Sequence, residues 1–81
     1  MDTRPAVIAI IINDNDSVTE LNAVLHEYAD YIIGRMGIPY RQKGICIISV
    51  AIDAAQDVIN TLAGKIGRIK GVTAKTVYSK G

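Results

Sequence analysis

The residues best able to do chemistry in this sequence lie in one short polar segment, Asn13-Asp14-Asn15-Asp16, which is followed by Ser17. Clustered oxygen ligands can chelate a hard cation, but the later glycine and terminal glutamate of an EF-hand loop are missing. The same residue types are typical of a turn and a helix cap, which we favour. If a helix begins here, its backbone amides offer a docking point for a small anion.

Soft-metal chemistry has one cysteine and one histidine available, Cys46 and His26. Such sites need about four ligands of these types, so a metal at Cys46 and His26 would have to recruit ligands from several subunits. The simpler interpretations are a core thiol for Cys46 and a solvated side chain for His26, beside Glu27 and near Asp30. No Ser/His/Asp constellation is available, and paired carboxylates occur only in turns and on polar helix faces. We therefore expect no enzyme activity and no cofactor.

Two apolar runs, residues 6–12 and 45–52, predict the first and third strands of a sheet that must position these groups. Side chains alternate across a strand, so a strand half exposed to water should alternate apolar with polar residues. Neither run alternates. Both faces of these two strands must therefore be covered.

Two helices and two further strands complete the predicted elements. Ser17-Val18-Thr19-Glu20 is a capping box that starts a helix over residues 17–32, ended by Gly34. Asp53 is the expected cap of a second helix. Residues 35–41, which contain Pro39, and residues 72–79, which contain Lys75, are expected at sheet edges. The buried stripe of the second helix is predicted to be Ala55, Val58, Ile59, Leu62 and Ile66.

The element order βαββαβ predicts one domain over residues 1–81 with an α+β, ferredoxin-like fold. In that fold an antiparallel four-stranded sheet has strands one and three in its centre and both helices on one face. The other face would leave an apolar patch that a soluble monomer rarely exposes. A second copy of the chain is the simplest cover, so we predict a homo-oligomer, either a dimer or a tetramer.

Charge and composition exclude several other partners. The net charge of +1 gives no electrostatic footprint for nucleic acid and no polybasic membrane patch, so we expect neither partner. The longest apolar run is far shorter than the span of about 20 residues that a membrane helix needs. A signal peptide is not expected either. The lone cysteine fits a reducing compartment, and we expect a cytoplasmic protein.

The stretch Leu62-Ala63-Gly64-Lys65-Ile66-Gly67-Arg68-Ile69-Lys70-Gly71 allows three interpretations. Its Gly-x-x-Gly spacing occurs in KH domains as a nucleic-acid clamp, but there it joins two helices, whereas here it leads from a helix into a strand. Its three cations could bind a small anionic ligand. The third interpretation, which we favour, is helix capping, with Lys65, Arg68 and Lys70 complementing the helix dipole.

This stretch, continued by Val72-Thr73-Ala74-Lys75-Thr76-Val77, resembles the family of iron-only hydrogenase system regulators, as does Gly34-Arg35-Met36-Gly37-Ile38-Pro39-Tyr40. The family is similar to ACT domains and to the C-terminal regulatory domain of nickel-responsive repressors. Those modules pair through their sheets and bind small effectors at subunit interfaces. The resemblance implies an ACT-like, non-enzymatic regulatory or sensor module. It would act through a protein partner, because no segment remains for a DNA-binding ribbon-helix-helix.

The resemblance also implies two candidate sites. ACT domains contact effectors with the loop after the first strand and the start of the first helix, without the usual glycine in this chain. The nickel comparison places Cys46 at the repressors' cysteine ligand and His26 near one histidine, while Ile38 and Tyr40 fall on or near the two other histidine positions. A metal-responsive module is therefore the alternative to an effector sensor, and a purely structural partner-binding subunit is a further one. The predicted effector contacts are Asn13, Asp14, Asn15, Asp16 and Ser17.

Overall fold

The computed structural model describes residues 2–80, which form a βαββαβ chain as predicted. Short 3-10 turns precede the first helix, the second strand and the third strand. The strands are β1 (Arg4–Ile12), β2 (Ile32–Tyr40), β3 (Ile45–Ala54) and β4 (Val72–Tyr78), and the α-helices are α1 (Val18–Glu27) and α2 (Gln56–Gly67).

The strands form one antiparallel sheet in the order β2-β3-β1-β4. The two doubly apolar strands, β1 and β3, are therefore its centre, and β2 and β4 are its edges. This arrangement confirms the predicted ferredoxin-like, ACT-like fold. It also explains why Pro39, which has no backbone N–H to donate, is tolerated in β2.

The hydrophobic core lies between one face of the sheet and the two helices. Alternate residues of β1 and β3 point into it, as the period of a strand requires. The helices contribute residues at spacings of three and four, which lie on one helix face. The completely or almost completely buried side chains include Ile8, Ile10, Ile12, Leu21, Leu25, Val50, Ile52, Ile59, Leu62 and Ile66.

The first helix is shorter than predicted. It ends at Glu27, Tyr28 leaves helical geometry, and β2 begins at Ile32, well before Gly34. Ile32 pairs with Ile52 of β3 and packs against the core from the sheet. The helical spacing of Ile32 was misleading, because β-branched residues pack well on a pleated sheet and pairing with β3 decides the outcome.

Neither predicted helix cap is present. The Ser17 hydroxyl donates instead to the backbone carbonyl of Lys70 at 2.6 Å, and Asp14 caps the preceding 3-10 turn by accepting from the amide of Asp16. Asp53 lies inside β3, which runs on to Ala54, so the residue at the N-cap of α2 is Ala55. In each case a tertiary contact or a strand pairing displaced the local signal.

The turn before β4 is tied to the end of β1. The Gly71 carbonyl accepts from the Asn13 amide at 2.7 Å, and Gly71 has a φ of 73°. A Cβ at Gly71 would lie 2.7 Å from the Cβ of Asp14, closer than side chains approach. Glycine is thus required at this position by both its backbone conformation and its close contact.

Candidate functional site

The most distinctive surface of the molecule is the sheet face opposite the helices, which we call the open face. Residues that pair across antiparallel strands share a face, so the strand registers define its members. Its residues are Val7, Ala9 and Ile11 of β1, Met36, Ile38 and Tyr40 of β2, Ile47, Ser49 and Ala51 of β3, and Thr73, Lys75 and Val77 of β4.

The open face is apolar and accessible at its centre. Ile11 and Ile47 are cross-strand partners on the two central strands, and each is 40% exposed. Met36 on one edge strand and Val77 on the other are 60% and 67% exposed. The only charged side chain in the defined set is Lys75, on the β4 edge. The predicted double apolarity of β1 and β3 is therefore real, and the described chain covers one of their two faces only.

The size of the open face follows from strand geometry. Four strands spaced about 4.8 Å apart and about seven residues long at 3.3 Å per residue give a face of roughly 440 Å² in projection. That area lies in the upper range of the largest apolar patch on a typical monomer, about 300–600 Å², and such patches mark interaction sites.

One end of the open face is hollowed into a depression of about 290 Å³. Its lining is almost wholly apolar, and Ser79 lies at its rim next to the start of β1. The sequence gave no signal for this site, since it is formed by residues from all four strands that are distant in the chain. We call it the apolar depression; its side chains on the open side are Pro5, Val7, Ile33, Ala51, Val77 and Ser79.

The predicted effector loop is engaged in bonds within the chain. The amide of Asn13 donates to Gly71, and the amides of Asp16 and Ser17 donate to the side chain and the carbonyl of Asp14, at 3.0 and 2.9 Å. An anion docked on this loop would have to compete with these bonds. The geometry therefore favours the turn and cap interpretation of the segment, and effector contact there stays a prediction.

Cys46 and His26 lie apart from the open face. Cys46 is half-buried on the helix side of β3, where it packs against the core, and His26 is exposed in the last turn of α1. Ile38 and Tyr40 lie on the other side of the sheet. Among residues 2–80 no three His, Cys, Asp or Glu side chains are close enough to hold a metal ion. Metal binding at Cys46 and His26 remains a prediction that needs ligands from another subunit.

One cation near the end of α2 has a partner within the chain. The Lys65 Nζ lies 5.0 Å from the centroid of the Tyr28 ring, a cation–π distance. A hydrogen bond with the Tyr28 side chain is the main cause that raises the pKa of Lys65 above its ordinary value of 10.5. This contact joins α2 to the end of α1, so Lys65 has a structural role in addition to its position near the C-terminus of a helix.

The fold and its open face define the class of this protein: a small ferredoxin-like, ACT-like α+β domain with an uncovered apolar sheet face. A family model described as "Iron-only hydrogenase system regulator, putative", the TM1266-like family, matches residues 4–76. The chain belongs to this family. None of the described helices is long and apolar enough to span a membrane.

A solved structure supports the same assignment. The uncharacterized protein TM1266 from Thermotoga maritima is similar to this chain at 31% sequence identity and a TM-score of 0.93. The similarity covers 98% of this chain and 100% of that chain. No curated protein matches the sequence.

Proposed function

We propose that this protein is a non-enzymatic regulatory module that works as a homo-oligomer assembled through its open face. The observation that carries the proposal is the pair Ile11 and Ile47, which lies in the middle of an apolar surface on the two central strands. The family is one of regulators of the iron-only hydrogenase system, which supports a regulatory role rather than a catalytic one.

A second copy of the chain fits the open face better than water does. The central residues carry no charge, so two copies can meet there without burying an unpaired ion. Lys75 lies at the β4 edge, where a side chain can keep its ammonium group in water while its stem covers apolar surface. Two faces of roughly 440 Å² in projection approach the lower end of stable interfaces, at about 1,200 Å² of total accessible area, because a pleated surface is larger than its projection.

The regulatory action would pass through a protein partner in the cytoplasm. The helix side of the domain stays accessible when the open faces pair, and α1 presents polar residues such as Glu20, Asn22 and Glu27 to solvent. A small effector bound at a subunit interface would bias the assembly toward one state, by as much as its affinities for the two states differ. Residues 13–17, supplemented by a neighbouring subunit, are one candidate for that contact.

Two measurements test the proposal. Sedimentation equilibrium of the wild-type protein should give at least twice the chain mass of 8.7 kDa. A stable monomer at every concentration would refute it. A thermal-shift panel of amino acids, nucleotides and divalent metals under reducing conditions then tests the sensor role, because a ligand selective for the native state raises the unfolding midpoint. A metal shift reversed by chelator and lost in Cys46→Ala would instead establish the metal-responsive alternative, and a flat panel would indicate a structural subunit.

A further inference from the structure

The apolar depression is distinct from both predicted sites. It lies where β1 begins, whereas residues 13–17 follow the end of β1, about 30 Å away along a nine-residue strand. Cys46 pairs with Ile12 and so also belongs to the far end of the sheet. The depression opens onto the open face, so a second copy packed there would close it from above.

Ser79 supplies the one polar side chain in the lining, and its hydroxyl oxygen is buried without a hydrogen-bond partner among the described residues. Its backbone groups are both satisfied: the N–H donates to the Pro5 carbonyl at 2.9 Å, and the carbonyl accepts from Arg4 Nε at 2.9 Å. The residue is therefore held in place while its hydroxyl has the capacity for one donated and two accepted bonds. Buried polar groups in native proteins are nearly always paired, so this hydroxyl points to a missing partner.

The chemistry of the lining restricts that partner. No charged side chain lines the depression, so an ion bound there would lose its hydration without compensation. An apolar cavity of about 150 Å³ is large enough for benzene. A volume of about 290 Å³ accommodates a molecule of one ring or a short chain with a polar substituent.

We infer that the apolar depression binds a small, neutral, largely apolar molecule through one hydrogen bond to Ser79 Oγ. The inference deepens the proposed function, on which it rests, by naming the class of effector and its place in the subunit interface. The ligand's apolar body contacts Val7, Ala51 and Val77, and its hydroxyl or carbonyl group completes the hydrogen bonding of Ser79. The paired copy excludes water from the filled site.

Benzyl alcohol and toluene form a matched pair of probes that differ by one hydroxyl group. Titrating each into the wild-type protein, followed by two-dimensional amide NMR spectra, should give saturable shifts at Val7, Ala51 and Ser79. Benzyl alcohol should bind about fivefold more tightly, as one net hydrogen bond implies. Ser79→Ala should reduce its affinity to that of toluene and leave toluene unchanged. Ser49→Ala is the control, because Ser49 is on the same face but outside the depression.

The results separate this inference from the proposed function when sedimentation is run on the same samples. A homo-oligomer that binds neither probe, or a Ser79→Ala variant that keeps the preference for benzyl alcohol, overturns the inference and leaves the proposed assembly standing. An equal loss of preference in Ser49→Ala also overturns it, since the effect would then not be specific to Ser79. A monomer that binds benzyl alcohol through Ser79 refutes the assembly and keeps the ligand class.

Discussion

Replacing Ile47 by lysine is the perturbation that separates the assembled protein from its isolated chain. Ile47 is at the centre of the open face and 40% exposed, so the isolated domain loses little apolar burial when this side chain is changed. In the assembly the same position is enclosed, and a lysine there has no carboxylate partner on the open face as defined. The substitution should therefore dissociate the protein while leaving it folded.

The magnitude follows from the exposed fraction. Fully burying an isoleucine contributes about 1.5–3 kcal/mol, so the 40% that remains exposed would contribute about 0.6–1.2 kcal/mol in each copy. Burying an unpaired ammonium costs several kcal/mol, and we take about 2 kcal/mol per lysine to allow for partial escape to water. A dimer contains both changes twice, so the total is about 5 kcal/mol or more. The dissociation constant should rise more than about a thousandfold.

Sedimentation velocity from micromolar to millimolar protein measures this change, with circular dichroism to check folding. The matched control is Ala23→Lys, which adds the same charge to an exposed position on α1, away from the open face. We expect that variant to associate as the wild type does. Equal association by Ile47→Lys and Ala23→Lys would refute the assignment of the open face. Should Ile47→Lys fail to fold, Met36→Lys at the 60% exposed edge position repeats the test with less disturbance.

Three further predictions concern stability. Gly71→Ala should lower the free energy of unfolding in urea by more than Gly44→Ala does: both replace a left-handed glycine, at about 1–2 kcal/mol, but only Gly71 is also in close contact with a neighbouring loop. Similar losses in the two variants would contradict the contact. Ser17→Ala should cost about 1–3 kcal/mol, because a carbonyl at the start of the β4 turn loses its partner; an unchanged urea midpoint would speak against it. The thermal midpoint of wild type should exceed that of Lys65→Gln near neutral pH, and the gap should close as the pH rises past 10.5, because a raised pKa stabilises the folded state only while the lysine is charged. A gap that persists in strong alkali would show that Tyr28 does not act through the charge.

The fold was largely predictable because its two strongest signals agree. The apolar runs of β1 and β3 are consistent with central strands, and the order of elements then leaves one chain topology. The ends of the elements were less predictable, since they depend on contacts between distant segments. The Ser17 hydroxyl bonds to a carbonyl 53 residues away, and Ile32 is claimed by its pairing with Ile52.

The candidate site divides in the same way. That the open face exists follows from alternation along single strands, which is local information. The apolar depression does not, because Val7, Ile33, Ala51 and Val77 come together only when four strands take their register. The unpaired hydroxyl of Ser79 is likewise visible only in three dimensions, since an isolated serine near the end of a strand has no distinctive sequence pattern.

The most direct test of self-association through the open face is an isotope-filtered NMR experiment on a mixture of labelled and unlabelled chains. Cross-peaks between copies should connect the methyl groups of Ile11, Ile47 and Met36. If the only cross-peaks between copies come from α1 or α2, for example from Ala23, the helix side is the interface and the account is wrong; if there are none at concentrations where sedimentation reports a monomer, the open face does not pair at all.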